Sequence, residues 1–277
     1  MNKAITLFFL IFITVFTFGQ KFSPLYFGEK MVIKSKYVKE KMNVWIKLPE
    51  DFEKLKKNCS LLILLDGDEY FGIASNVQNL YQFDDKMPAT IVAALPSTIE
   101  SRWKYYTPTK SKNFSGKKEN DKLFESSGNF QHFADFIENE VIRELEAKYK
   151  TKFKNKTIFG HSLGGLGVMS FYKFRPQIFE NYICASPSLI WDKYMFNSYY
   201  ENEYPSNSIE KRKIFFSSGN PDSQYYREAV EDLYENMSKK IINSNDFIKY
   251  QHYETENHGT SGIRSLIDGL EFIYKTD

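Results

Sequence analysis

Gly160-His161-Ser162-Leu163-Gly164-Gly165 decides how this chain is read. An alternating, partly apolar run, Phe153 to Phe159, precedes it and reads as a strand. Leu166-Gly167-Val168-Met169-Ser170-Phe171-Tyr172 follows and reads as a helix. A serine between two glycines at a strand-to-helix junction is the sequence form of a nucleophile elbow. The turn is too sharp for bulky neighbours, so Gly160 and Gly164 let the backbone pass and Ser162 stands at the tip. The helix that starts there aims N–H groups and a positive dipole end at a reacting oxygen. The same pattern also occurs as an ordinary glycine-rich turn. The rest of the chain must therefore supply a base, an acid and a second oxyanion donor.

The flanking pattern fixes the fold class. Ser60 to Leu65 and Thr90 to Leu95 are continuous apolar runs, the mark of strands buried on both faces. Two further strands are expected at Met31 to Val38 and Asn43 to Leu48, and others at Asn181 to Ala185, Lys211 to Ser218 and Asp246 to Tyr253. Phe130 to Lys150 reads as one amphipathic helix, with Phe133, Phe136, Ile137, Val141 and Leu145 at helical spacing. Helices are expected from Gln224 to Ile242 and from Ser261 to Tyr274. Strands alternating with helices imply an α/β fold, a mostly parallel central sheet with helices on both faces. In such sheets the site lies past the carboxyl ends of the strands, where Asp68, Ser162, Asp222 and His258 stand. Ser97 to Asn129 is a long connection, and its Lys-rich part, Lys110 to Lys122, reads as a solvated loop.

Composition narrows the function classes. The 277 residues carry 37 Lys+Arg against 35 Asp+Glu, a formal net charge of +2. That balance gives no reason to expect nucleic acid or an anionic membrane as partner. Residues 1–20 read as a secretory signal: Lys3 gives a positive start, Ala4 to Phe18 is almost wholly apolar, and Gly19-Gln20 ends the run. The run is short for a membrane span, with an uncleaved anchor as the alternative reading, so residues 21–277 are expected to form one exported domain, periplasmic or secreted, with no stable span after cleavage. Export permits a disulfide between Cys59 and Cys184, but both adjoin or enter buried strands and equally suit idle thiols. No zinc spacing, phosphate loop or dinucleotide fingerprint occurs, and no cofactor or metal is implied.

Four histidines are available as the base. His132 begins a helix, His161 adjoins the serine with its side chain expected to point away, and His252 lies inside a strand. His258, in the loop after the last strand and followed by Gly259, is the best candidate. An acid between the serine and the histidine would hold the imidazole tautomer. Asp222, a few residues past a strand end, is the candidate, with Asp192 as its rival and an N-cap as its structural alternative. Leu163 and Asp68 are the expected backbone N–H donors to the oxyanion. Trp103, Tyr105, Tyr106 and Trp191 read either as an aromatic wall for a substrate or as packing. Arg102 reads either as a contact for an anionic group or as a structural ion pair.

These stretches resemble the esterase D-like family of α/β-hydrolases, which includes enterobactin-type siderophore esterases, feruloyl esterases and mycolyltransferases. The matching residues are Leu64-Leu65-Asp66-Gly67-Asp68, Gly160 to Gly165, Ser186-Pro187-Ser188-Leu189-Ile190-Trp191-Asp192 and His258-Gly259. The resemblance covers nearly all of residues 21–277 and is closest to the siderophore-esterase branch. Arg102 to Pro108 is similar to the family's Arg-containing segment ending in Thr-Pro, which often carries an Asp where this chain has Tyr105. The family acid, three residues beyond a glycine that ends a strand, again selects Asp222. The resemblance implies ester hydrolysis by a Ser162-His258-Asp222 triad on a small-molecule or glycan ester. An acyltransferase and a non-catalytic binding protein on the same fold are the alternatives.

Overall fold

The computed structural model describes residues 27–114, 117–118, 122–202, 211–220, 224–241 and 246–275. The expected signal segment lies outside them. In chain order the elements are β1 (Glu29–Lys34), β2 (Lys41–Lys47), α1 (Phe52–Leu55), β3 (Ser60–Leu65), α2 (Gly67–Phe83), β4 (Thr90–Leu95), α3 (Ile99–Tyr106), β5 (Asn113–Phe114), β6 (Lys117–Lys118), α4 (Phe130–Phe136), α5 (Ile142–Tyr149), β7 (Lys156–His161), α6 (Leu163–Phe174), β8 (Asn181–Ala185), α7 (Met195–Asn202), β9 (Lys213–Gly219), α8 (Gln224–Ile241), β10 (Phe247–Tyr253) and α9 (His258–Tyr274).

Eight strands make one sheet in the order β1-β2-β4-β3-β7-β8-β9-β10. β2 pairs antiparallel with both β1 and β4, and every other pairing in this sheet is parallel. β3 lies near the centre, between β4 and β7, and all six of its residues are buried, as its unbroken apolar run requires. β1, at the edge, alternates half-buried and exposed residues. Successive side chains of a strand point to opposite faces. Leu61, Ile63 and Leu65 accordingly pack with Leu166 and Phe171 of α6. Leu62 and Leu64 pack on the other face with Tyr70 and Phe71 of α2 and Leu266 and Leu270 of α9. β3, β7, β9 and β10 all run the same way, so their carboxyl ends meet on one side of the sheet, and the candidate site is built there.

Three expectations are corrected. The helix expected over 130–150 is continuous to Tyr149 but contains a π-turn at Ile137–Val141, where the apolar spacing continues unchanged and hides the extra residue. The connection over 97–129 is not a plain loop: α3 starts at a capping box in which Thr98 and Ser101 each accept from the other's backbone N–H. Within the Lys-rich loop, Phe114 packs on Trp103 at a ring distance of 5.6 Å.

The layers bury enough apolar surface to stand without a cross-link, and both cysteines are free and buried. Burial pushes the Cys59 thiol up to about 11 and the Cys184 thiol well above its ordinary value. Neither is a thiolate near neutral pH. Native protein at about pH 8 is therefore expected to leave a disulfide reagent such as Ellman's unreacted for minutes. Unfolding in denaturant should then release both thiols of the sequence. Rapid reaction of either in the native state would contradict this packing.

Candidate active site

The junction between β7 and α6 is a sharp elbow. Ser162 sits there at φ 57° and ψ −115°, outside the comfortable regions for a residue with a side chain. Such strain persists only where the surroundings impose it, and here they do. The Ser162 N–H donates to the Ala185 carbonyl at 2.9 Å, and its own carbonyl accepts from Leu166 and Ser188 at 3.0 Å each. Two glycines are required by close approach. A Cβ on Gly160 would run into the carbonyl oxygen of Gly164, and a Cβ on Gly164 would stand 2.6 Å from Asp66 Oδ2.

His258 is brought to the elbow from 96 residues away, with Nε2 standing 3.0 Å from Ser162 Oγ. That is hydrogen-bond reach for a base and its nucleophile. The loop expected around His258 is in fact the first turn of α9. Asn257 caps it, its side chain accepting from the N–H groups of Gly259 and Thr260, while Thr260 Oγ1 accepts from the Asn257 N–H. His161 is buried, and its Nε2 lies 2.6 Å from the His258 carbonyl oxygen. A carbonyl only accepts, so that nitrogen carries the proton. His161 thereby ties the end of β7 to the backbone that carries His258.

Leu163 is the first residue of α6, and Asp68 stands in the first turn of α2. N–H groups in a first turn have no partner inside their own helix, and both of these N–H groups stand at a helix start. The Asp68 carboxylate accepts from the Ser97 N–H at 2.9 Å.

Asp66, rather than Asp68, anchors the turn after β3. Its side chain is 2% exposed, and Arg102 meets it through two bonds, Nε to Oδ1 at 2.9 Å and Nη2 to Oδ2 at 3.0 Å. Ser97 Oγ donates to Oδ1 at 2.8 Å, and the Asp66 N–H donates to the Tyr106 hydroxyl at 3.2 Å. Arg102 also donates to the His161 carbonyl at 3.1 Å. Burial pushes the Asp66 carboxyl above its ordinary value, against the pull of Arg102 and Ser97. Of the two readings of Arg102, the structure carries the ion pair.

Among the aromatic residues, Trp191 is corrected. It has no exposed surface, and its indole N–H donates to Thr109 Oγ1 at 3.0 Å, so it packs and offers no wall to a substrate. Tyr105 and Tyr106 are buried too, with Tyr105 stacked on Phe133. Trp103 is half-buried against Trp191 and Phe124. Tyr226, which sequence reading did not single out, lies edge-on to His258 at 5.4 Å. Its position two residues into α8, just past the carboxyl end of β9, was the available signal. Asp222 lies outside the described residues. Asp192, its rival, sits at φ 48° in the turn after β8 and donates its N–H to Asn113. Among the described residues no group of three or more His, Cys, Asp or Glu is placed to hold a metal ion. No helix among them is long and apolar enough to cross a membrane.

Known proteins share this architecture. An IroE-like serine hydrolase from Shewanella oneidensis superposes with a TM-score of 0.78 at 22% identity, covering 90% of this chain and 82% of that one. The BES protein from Bacillus cereus gives 0.75 at 20% identity, covering 93% and 100%. Both likenesses identify the fold as that of an α/β-hydrolase. In sequence, the ferri-bacillibactin esterase BesA of Bacillus subtilis (strain 168) is 30% identical over 141 residues, which span 48% of this chain and 49% of that protein. The apo-salmochelin esterase of Escherichia coli O6:H1 is 29% identical over 138 residues, 47% and 41%. The chain thus spans about half or less of the length of the curated relatives it matches. The family model described as "Putative esterase" matches residues 35–265, a stretch that takes in the elbow, the Asp66–Arg102 pair and His258, and the chain belongs to that family.

Proposed function

We propose that this chain is an exported serine esterase that cleaves carboxylic esters through an acyl-enzyme, with siderophore-type esters as its substrate class. The observation that carries the reading is the 3.0 Å approach of His258 Nε2 to a serine held at φ 57° on a strand-to-helix elbow. Ser162 Oγ attacks the ester carbonyl as His258 takes its proton. The N–H groups of Leu163 and Asp68 receive the oxyanion, each worth about 3 kcal/mol at the transition state. His258 then gives its proton to the leaving alcohol. Water attacks the acyl-enzyme with His258 again as base, and Ser162 is regenerated. Asp222 orients His258 and stabilises its imidazolium. The substrate class follows from the relatives, whose names place them on ferri-bacillibactin and salmochelin. Export rests on the composition of residues 1–20.

The test is labelling of the folded protein with a fluorophosphonate, followed by peptide mapping and an ester panel. One label per chain, on the peptide bearing Ser162, is expected, as is hydrolysis of p-nitrophenyl acetate and of ferri-bacillibactin and apo-salmochelin above feruloyl and acetyl-sugar esters. Labelling elsewhere, or none, would overturn the proposed nucleophile. Acyl transfer to an added sugar or lipid alcohol in preference to water would replace hydrolase by acyltransferase.

A further inference from the structure

A second hydroxyl touches the nucleophile. Ser188 Oγ lies 3.3 Å from Ser162 Oγ, and Ser188 is only 1% exposed. It is held there by the backbone rather than by chance of rotamer. The Ser188 N–H donates to the Ser162 carbonyl at 3.0 Å, and the Trp191 N–H closes a turn on the Ser188 carbonyl at 3.2 Å. Pro187 packs so closely on the first turn of α6 that a Cβ at Gly165 would stand 2.9 Å from it. The Ser186-Pro187-Ser188 turn and the elbow are thus one rigid unit.

Resting on the proposed serine chemistry, we infer that Ser188 is a further catalytic residue, its hydroxyl donating to Ser162 Oγ whenever that oxygen carries charge. The direction follows from proton counting. Ser162 has one proton, and a neutral His258 accepting on Nε2 takes it, which leaves Ser162 Oγ with lone pairs only. Between the two hydroxyls, Ser188 is then the donor. At 3.3 Å the bond is long beside the usual O–H···O range of about 2.5–3.0 Å, so it contributes little to the resting enzyme. A charged acceptor shortens and strengthens such a bond. A contact weak in the ground state and strong at the transition state is the kind that raises turnover. Ser162 Oγ carries charge twice: as its proton passes to His258 in acylation, and as it is expelled from the tetrahedral intermediate in deacylation. In the second event Ser188 supports the leaving oxygen until the His258 imidazolium returns the proton. Ser188 keeps its own proton throughout, and the overall reaction remains ester and water to acid and alcohol.

Ser188→Ala removes the hydroxyl and leaves Ser162 its bond to His258, so the fold has no new orphan group. The variant is expected to keep its melting temperature within a few degrees and its KM within about twofold, while kcat falls about 10- to 100-fold. Fluorophosphonate labelling, which reports attack by Ser162 alone, should slow by a similar factor. Rapid-mixing kinetics with p-nitrophenyl acetate should show acylation and deacylation both slowed. Ser188→Cys, of similar size and a weaker donor, should fall between the two. Labelling and turnover within twofold of the parent in Ser188→Ala would overturn the inference, as would losses that track melting temperature or KM instead of kcat. If the parent protein itself neither labels nor turns over esters, the proposed esterase reading fails. If the parent does both and Ser188→Ala matches it, the inference about Ser188 fails alone.

Discussion

Ser162→Ala is expected to lower turnover of p-nitrophenyl acetate by about 10⁴- to 10⁶-fold and to leave the melting temperature unchanged. The substitution deletes the proposed attacking atom with its contacts to His258 and Ser188, but it spares the bonds that hold the strained turn, which run through the Ser162 N–H and carbonyl. The residual rate would come from water and the remaining N–H donors. Ser162→Gly makes a useful companion. At φ 57° and ψ −115° a side chain costs about 1–3 kcal/mol, and glycine removes that cost. The glycine variant should therefore be equally inactive yet melt a few degrees higher. Turnover equal to the parent in either variant would show that the measured reaction does not pass through Ser162.

Arg102→Met is expected to cost about 3–5 kcal/mol of stability, because it leaves the buried Asp66 carboxylate without its cation. For a domain of this size that is a fall in melting temperature on the order of 10 °C. The loss should depend on pH in a defined direction. Burial already holds the Asp66 carboxyl above its ordinary value. A carboxyl raised on folding contributes stability that is complete below its unfolded pKa and is lost as pH rises through the folded one. Without Arg102 the folded pKa climbs further, so the deficit against the parent should be small at about pH 4 and large at about pH 8. Asp66→Asn combined with Arg102→Met should recover much of it. A variant that melts like the parent while KM rises would instead return Arg102 to the substrate.

The sequence made the sheet centre and the elbow readable for physical reasons. Ser60–Leu65 and Thr90–Leu95 are apolar after their first residue because both faces are covered, and both strands begin and end where the expected runs do. The first two strands, β1 and β2, slipped by a few residues because half-buried strands carry a weaker pattern. Ser162 and His258 were legible from spacing and position, and the structure brings them together. The Asp66–Arg102 pair was only half legible: Asp66-Gly67-Asp68 has the composition of any polar turn, and nothing local says which carboxylate is buried. Ser188 was invisible as chemistry, since a serine after a strand end is common and its partner lies 26 residues away. The π-turn in 137–141 leaves the apolar spacing intact, so no periodic reading detects it.

The Asn257–Thr260 box fixes where α9 begins, and His258 is the first residue after the cap. Helix residues advance by about 100° each around the axis. A start displaced by one residue would swing the imidazole through that angle and point it off the elbow altogether. The cap therefore works as an index mark, converting a local choice of helix start into the compass bearing of the His258 imidazole.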